Sequence, residues 1–256
     1  MIELKTANEI ALMRKAGRVV AGMLDMLAGL VKPGITTKAL DEAAMSYLSE
    51  QGAAPAFLGY RGFPASICVS VNEEVVHGIP GNRRIREGDV VSLDAGAVVS
   101  GYYADAAITV AVGAIDPAAR RLVETTRQAL AMGIEQATVG NRLSDISHAV
   151  QQVAERAGFG VVRDFVGHGI GRAMHEEPPI PNFGAPHMGP RLLAGMVLAI
   201  EPMITHGGPD VLVLEDGWTA VTKDGSLAAH FEHTVAITEQ GTEILTIQDD
   251  GERKPH

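Results

Sequence analysis

Apolar residues at the start of the chain recur in steps of three and four: Ile10, Met13, Gly17, Val20, Leu24, Leu27 and Val31. That period predicts an amphipathic helix. Thr6 and Glu9 form a T-x-x-E capping box ahead of it, and Pro33-Gly34 stops it. A second helix is expected over residues 37–50, ending at Gly52. Strand-like runs follow at 66–71, 90–97 and 102–112. Asp116-Pro117 reads as an N-cap with proline at the first helical position, opening a third helix to about Ala137. A fourth helix is expected over 144–156, ending at Gly158. Strands are expected again at 196–204, 211–214, 218–222 and 230–238, with a frayed tail at 249–256.

The order of elements carries an internal echo. Pro33-Gly34 and Val139-Gly140 stand 106 residues apart. The helix after each repeats its pattern at the same offset: Leu40 with Ile146, Ala44 with Val150, Tyr47 with Val153, Gly52 with Gly158. Each half reads as a helix pair followed by strands, which is an α+β arrangement. No Pro/Ser-rich linker separates the halves, so they are expected to share one sheet in a single domain over 1–256, with pseudo-symmetric halves at about 1–115 and 116–248.

Composition narrows the class. The apolar share is 46% and the charged share 20%, enough for a full core. No apolar run approaches the ~20 residues of a membrane span, and no signal peptide is read at the start. The single Cys68 excludes an intrachain disulfide framework and fits a reducing compartment such as the cytoplasm. The net charge of −10, without a basic stripe, argues against nucleic acid as the main ligand. An acidic surplus serves solubility, or it gathers carboxylates around cations.

Four acids lie in apolar, strand-like surroundings. Asp94 and Asp105 flank a turn near Val99-Ser100-Gly101. A hairpin centred between Val99 and Ser100 pairs positions that sum to 199, as 94 and 105 do, and sets the two carboxylates ~5 Å apart. A shift of one residue makes the pair diagonal but leaves it within reach. Opposed like charges on an apolar hairpin need a proton, a basic partner or a cation. No basic residue lies between Glu87 and Arg120. Glu201 ends the apolar run 196–200, and Glu232 sits inside the strand-like run 230–238. The alternative is a set of solvent-facing acids.

Among the histidines, His168 stands in Gly167-His168-Gly169-Ile170-Gly171, where glycines let the backbone pass close to another group. Pro178-Pro179 follow too soon for the string to be a dinucleotide loop. His77 follows an apolar strand, and His175 lies in Met174-His175-Glu176-Glu177-Pro178. His148, His206, His230 and His256 read as ordinary structural or surface histidines.

With these residues assembled, the chain resembles the type I methionine aminopeptidases over about residues 3–247. The matching segments include Asn72-Glu73-Glu74-Val75-Val76-His77-Gly78-Ile79-Pro80, Asp94-Ala95-Gly96, Asp105, Gly167-His168-Gly169-Ile170-Gly171, His175-Glu176-Glu177-Pro178, Ile200-Glu201-Pro202 and Phe231-Glu232-His233-Thr234. The resemblance implies the pita-bread α+β fold, whose pseudo-twofold symmetry would explain the echo. It implies two divalent metal ions (Co, Mn, Fe or Zn) and removal of the initiator methionine from nascent chains. Asp94 would bind one metal, His168 and Glu201 the other, and Asp105 and Glu232 both. Glu201 would be the general base, His175 would hydrogen-bond the scissile carbonyl, and His77 would contact the substrate amide. Tyr60, Phe63, Cys68 and Trp218 would wall the methionine pocket. Phe57 stands where many bacterial relatives have Cys, and Met174 where Phe is common; both keep the wall apolar. Nascent N-termini are the implied partners, with the ribosome exit region as a place of encounter and a monomer as the default. Two alternatives are an Xaa-Pro peptidase of the same fold, whose members usually carry an extra N-terminal domain, and a non-catalytic binding protein on the same scaffold.

Overall fold

The computed structural model describes residues 2–248. The expected tail at 249–256, with His256, lies outside the described residues. Four α-helices form among the described residues: α1 (Ala7–Leu30), α2 (Thr37–Glu50), α3 (Pro117–Gln136) and α4 (Leu143–Arg156). Their starts follow local chemistry. Thr6 N–H donates to Glu9 Oε2 at 2.9 Å, and Glu9 N–H donates to Thr6 Oγ1 at 3.3 Å, closing the capping box. Asp116 Oδ1 accepts the Ala118 N–H at 2.7 Å, with Pro117 at the first helical position.

The strands, in chain order, are β1 (Ala54–Pro55), β2 (Ile67–Val71), β3 (Glu74–Val76), β4 (Val90–Val99), β5 (Tyr102–Ala111), β6 (Gly160–Val161), β7 (Gly167–Gly169) and β8 (Glu176–Ile180). They continue with β9 (Val197–Ile200), β10 (Met203–Thr205), β11 (Val211–Val213), β12 (Ala220–Thr222), β13 (Ala228–His230), β14 (Glu232–Thr238) and β15 (Gly241–Ile244). The main sheet runs β1-β4-β5-β14-β9-β7-β8, with β2 on β4 and β15 on β14. Two three-stranded sheets, β13-β10-β6 and β11-β12-β3, flank it. Strands from both ends of the sequence therefore meet at the β5–β14 seam, where Glu232 faces Ala107 and His233 faces Ala106.

Helices cover the sheet in pairs. Met23, Leu27 and Leu40 join Leu93 and Ala95 in one buried cluster, while Leu130 and Ile146 join Leu198 and Val235 in another. Side chains alternate across a strand. With Leu93 and Ala95 under α1, Asp94 is left on the opposite face.

Three expectations are corrected here. The β4–β5 hairpin pairs positions that sum to 201, not 199: Asp94 faces Ala107 and Asp105 faces Gly96. The turn is Ser100-Gly101, with φ of 53° and 78°, the two-residue positive-φ form that matches strand twist. Asp94 and Asp105 are thus diagonal neighbours on one face. The strand expected at 196–204 breaks at Glu201-Pro202 into β9 and β10, and the strand at 230–238 breaks at Phe231 into β13 and β14. In both places the chain passes from one sheet to another. Glu201 accordingly sits in the break, just past β9, rather than inside a strand.

Candidate metal centre

Five neighbouring strands of the main sheet bring one donor residue each to the same place. Asp94 comes from β4, Asp105 from β5, Glu232 from β14, His168 from β7, and Glu201 from the end of β9. His168 Nε2 lies 3.5 Å from Glu201 Oε1 and 4.0 Å from Asp105 Oδ2. Its other nitrogen, Nδ1, is 2.9 Å from the Gly169 carbonyl, which fixes the ring and directs Nε2 to the carboxylates. A Cβ at Gly167 would overlap the Ala199 carbonyl, and one at Gly169 the Glu177 carbonyl. The glycines beside His168 let β7 lie tightly between β9 and β8. Asp105 is held through its backbone, which exchanges hydrogen bonds with Thr234 Oγ1 at 3.0 and 2.8 Å across the β5–β14 seam. Asn182 Nδ2 donates to the Glu201 carbonyl at 2.9 Å.

The electrostatics of this cluster are unfavourable for charge. Burial, and after it the neighbouring acids, pushes Asp105 and Glu232 well above the usual carboxylate range, and Glu201 likewise. Asp94 is pushed up to about 7 by burial, against hydrogen bonds with Asp105 and the Cys68 thiol that act the other way. Burial also takes His168 down to about 3 and His77 to about 4, so both imidazoles are neutral with a lone pair to offer. Asp94 Oδ1, Asp105 Oδ1 and Glu232 Oε1 are buried without a hydrogen-bond partner. Unpartnered buried acceptors are costly, and a divalent cation satisfies several at once while favouring their ionised forms. The orphaned oxygens and the neutral, oriented imidazole fit a divalent metal. Asp105, His168 and Glu232 present donor atoms within 4.8 Å of one another, as do Glu201, His230 and Glu232.

Above the cluster lies a cavity of about 140 Å³. Its lining contains every site residue anticipated from the sequence: the five donors, His77, His175, and the apolar wall of Phe57, Tyr60, Phe63, Cys68, Met174 and Trp218. Arg61 completes it. His175 stacks on Tyr60 with ring centroids 5.3 Å apart, and its Nδ1 lies 2.9 Å from the Tyr60 hydroxyl. His175 also lies 4.1 Å from the His168 ring, centroid to centroid, above the donors. His77 packs edge-on against Phe165 and Trp218. Cys68 pairs with Asp94 across β2 and β4, and burial followed by the charge of Asp94 keeps it a thiol. A wider depression of about 500 Å³, lined by Arg83, Arg84 and Arg86, shares no residue with this cavity.

His230, expected to be an ordinary structural or surface histidine, lies among the donors instead. It is buried in the centre, with Nε2 3.9 Å from Glu201 Oε2 and from Glu232 Oε2, and neither ring nitrogen has a partner. Its two-residue spacing from Glu232 was the available signal. His148, on α4, bonds Gly184 and Gln152 instead, and the His206 ring lies tilted beside Phe159, 5.6 Å between centroids.

The model of metallopeptidase family M24 matches residues 11–239. A methionine aminopeptidase of Clostridium perfringens is 54% identical over 247 residues, covering 96% of this chain and 99% of the relative. The chain belongs to the methionine aminopeptidases of metallopeptidase family M24. A solved methionine aminopeptidase from Thermotoga maritima superposes with a TM-score of 0.96 at 49% identity, over 97% of this chain and all (100%) of that one. Prolidase from Pyrococcus furiosus shares the fold with a TM-score of 0.79 at 24% identity, and this chain covers 66% of its length. The architecture is the pita-bread fold, and this methionine aminopeptidase family member is a metallo-hydrolase with divalent metal as its cofactor.

Proposed function

We propose that the enzyme hydrolyses the N-terminal methionine from nascent polypeptides whose second residue is small, using two divalent cations. The observation that carries this reading is the joining of five metal-ligating side chains to an apolar wall of Phe57, Phe63, Met174 and Trp218 in a single cavity of about 140 Å³. Asp94 would bind one ion, His168 and Glu201 the other, and Asp105 and Glu232 both. Bound there, the cations supply Lewis acidity and lower the pKa of water toward ~7. One imidazole with four carboxylates suits Mn²⁺, Fe²⁺, Co²⁺ or Zn²⁺ and selects weakly among them.

The remaining roles belong to the chain. Glu201, with its two oxygens turned toward different sides of the cluster, takes the proton of the attacking water. His175, oriented by Tyr60, donates to the scissile carbonyl oxygen as negative charge grows there. His77, neutral in its buried place beside Trp218, contacts the substrate amide nitrogen and assists the leaving amine. Phe63 and Trp218 meet edge to face at 5.1 Å, and with Phe57 and Met174 they surround a thioether with aromatic and polarizable contact. A free α-amino group must reach the acidic floor, which restricts action to chain ends.

Within this reading the protein is a cytoplasmic monomer, one catalytic domain of two duplicated halves, meeting its substrates at the ribosome exit region. Incubation of metal-reconstituted protein with Met-Ala-Ser and with an Xaa-Pro peptide tests it. Free methionine from the first and no cleavage of the second is expected. Absence of methionine with all four metals, or preferential Xaa-Pro cleavage, contradicts the assignment.

A further inference from the structure

We infer that Lys5 and Glu176 are positioning residues for His175, acting through a clamp that the N-terminal segment closes on the turn between β7 and β8. The inference rests on the reading of His175 as the group that meets the scissile carbonyl.

The turn over residues 171–176 carries Met174 and His175 into the cavity, yet little within it holds its shape. Gly171 N–H donates to the Ala173 carbonyl at 3.1 Å. The rest is done by Glu176. Its Oε1 accepts the backbone N–H groups of Arg172 and Ala173 at 2.8 and 3.1 Å, so the carboxylate staples the turn from inside. Its Oε2 accepts from Lys5 Nζ at 2.5 Å. The Lys5 side chain is only 3% exposed and that of Glu176 14%. Lys5 is in turn fixed by its backbone, whose N–H donates to the Gly195 carbonyl at 2.6 Å. No slack remains around the ammonium, because a Cβ at Gly171 would overlap both Lys5 and Glu176.

A second arm grips the other end of the turn. Arg172 lies 3.6 Å from Glu9 Oε1, and its guanidinium sits over the Tyr102 ring at 4.5 Å. Tyr102 donates its hydroxyl to the same Glu9 oxygen at 2.8 Å. Glu9 Oε2 is occupied by the α1 capping box. Tyr103 N–H adds a bond to the Gly171 carbonyl at 2.8 Å. The segment from Lys5 to Glu9 thus ties the start of α1 to both ends of the turn.

Physical magnitudes separate positioning from bulk stability. A buried ion pair returns little net stability, because desolvation offsets the attraction; Glu3 Oε2, 3.3 Å from Lys5 Nζ, still partners the ammonium when Glu176 is neutralised. The return is geometric: one orientation of the turn, and with it one place for the His175 ring against Tyr60. A displacement of about 1 Å in such a group lowers turnover by up to about a hundredfold.

The test uses the full-length protein loaded with Zn²⁺, which is diamagnetic and leaves resonances near the site readable, with Lys5→Met, Glu176→Gln and the double variant. Four quantities are read: kcat and KM for Met-Ala-Ser, metal affinity, melting temperature, and the ¹⁵N resonances of the His175 imidazole. The clamp predicts that kcat falls about tenfold or more with KM changed less than about twofold. It predicts unchanged metal affinity, shifted His175 resonances, and a double variant no worse than the poorer single one. A lowered melting temperature with His175 resonances and kcat unchanged makes the pair structural only and overturns the inference. Loss of metal in step with kcat overturns it too. Should Lys5→Met fail to fold, Arg172→Met removes the exposed arm, and unchanged His175 resonances there decide against the clamp. The resonances are readable in a protein that releases no methionine, so failure of the aminopeptidase reading is distinguished from failure of the clamp.

Discussion

Asp105 shows how one residue concentrates the chemistry. It is 4% exposed, one of its oxygens has no partner, and three other carboxylates crowd it. Asparagine keeps the shape and removes the charge. Asp105→Asn is expected to lower bound metal and methionine release together, with the fold intact by circular dichroism; a metal-replete, fully active variant contradicts its place in the centre. The acids were legible because a carboxylate inside an apolar strand is conspicuous. Cys68, Tyr60 and Trp218 were not legible from local pattern and came only with the resemblance. His230 escaped because its burial depends on the break at Phe231 and on β10 and β14, none of which a single strand pattern reveals. Asn182 was silent for the same reason: its partner, the Glu201 carbonyl, is 19 residues away in sequence and adjacent only in the fold.

At the level of elements, helices were read to within a residue or two, since a capping box and an N-cap with proline are local signals. Strands fared less well. The β4–β5 register turned on which two residues bend, and Ser100-Gly101, both at positive φ, decided it against the pair one residue earlier. Continuous apolar runs hid two sheet changes, at Pro202 and Phe231, because hydrophobicity does not record which sheet a strand joins. The strand β7 carries a sharper expectation. A Cβ at Gly169 would strike the Glu177 carbonyl, so Gly169→Ala must push β8 away or twist His168 off its carbonyl anchor. The expected loss is about 1–3 kcal/mol in denaturant unfolding, as for overpacked interiors. Weaker metal binding should accompany it. Unchanged stability and affinity would mean that the close packing of β7 against β8 does not hold His168.

Across the whole molecule, the sheet gathers acids from both halves of the sequence at a seam that helices cover, and the arrangement is tolerable only with something between the charges. That has a consequence for pH. In the metal-free protein the folded-state values of Asp94, Asp105, Glu201 and Glu232 are raised, so the folded chain holds more protons than the unfolded one. Stability from such groups is full below the unfolded value and is lost as pH climbs through the folded one. Across the window from the ordinary Asp value of 3.8 to about 7, the raised value of Asp94, the acids thus destabilise the metal-free fold as pH rises, while the buried His77, His168, His230 and His233, whose values burial depresses, stabilise it; Asp94→Asn removes one of the acids, and the melting temperature of metal-free wild type should fall relative to that variant over this window. Metal-loaded protein should not show that fall, since the ions replace the protons. A difference between the two metal-free proteins that stays flat or rises over this window contradicts the burial of Asp94. The most direct measurement is calorimetric titration of metal-stripped protein with Mn²⁺ or Co²⁺, with methionine release from Met-Ala-Ser followed at each addition. Two bound ions per chain, released protons, and activity that appears as the sites fill are predicted. Full activity without bound metal, or no specific binding at the cluster, would contradict the account.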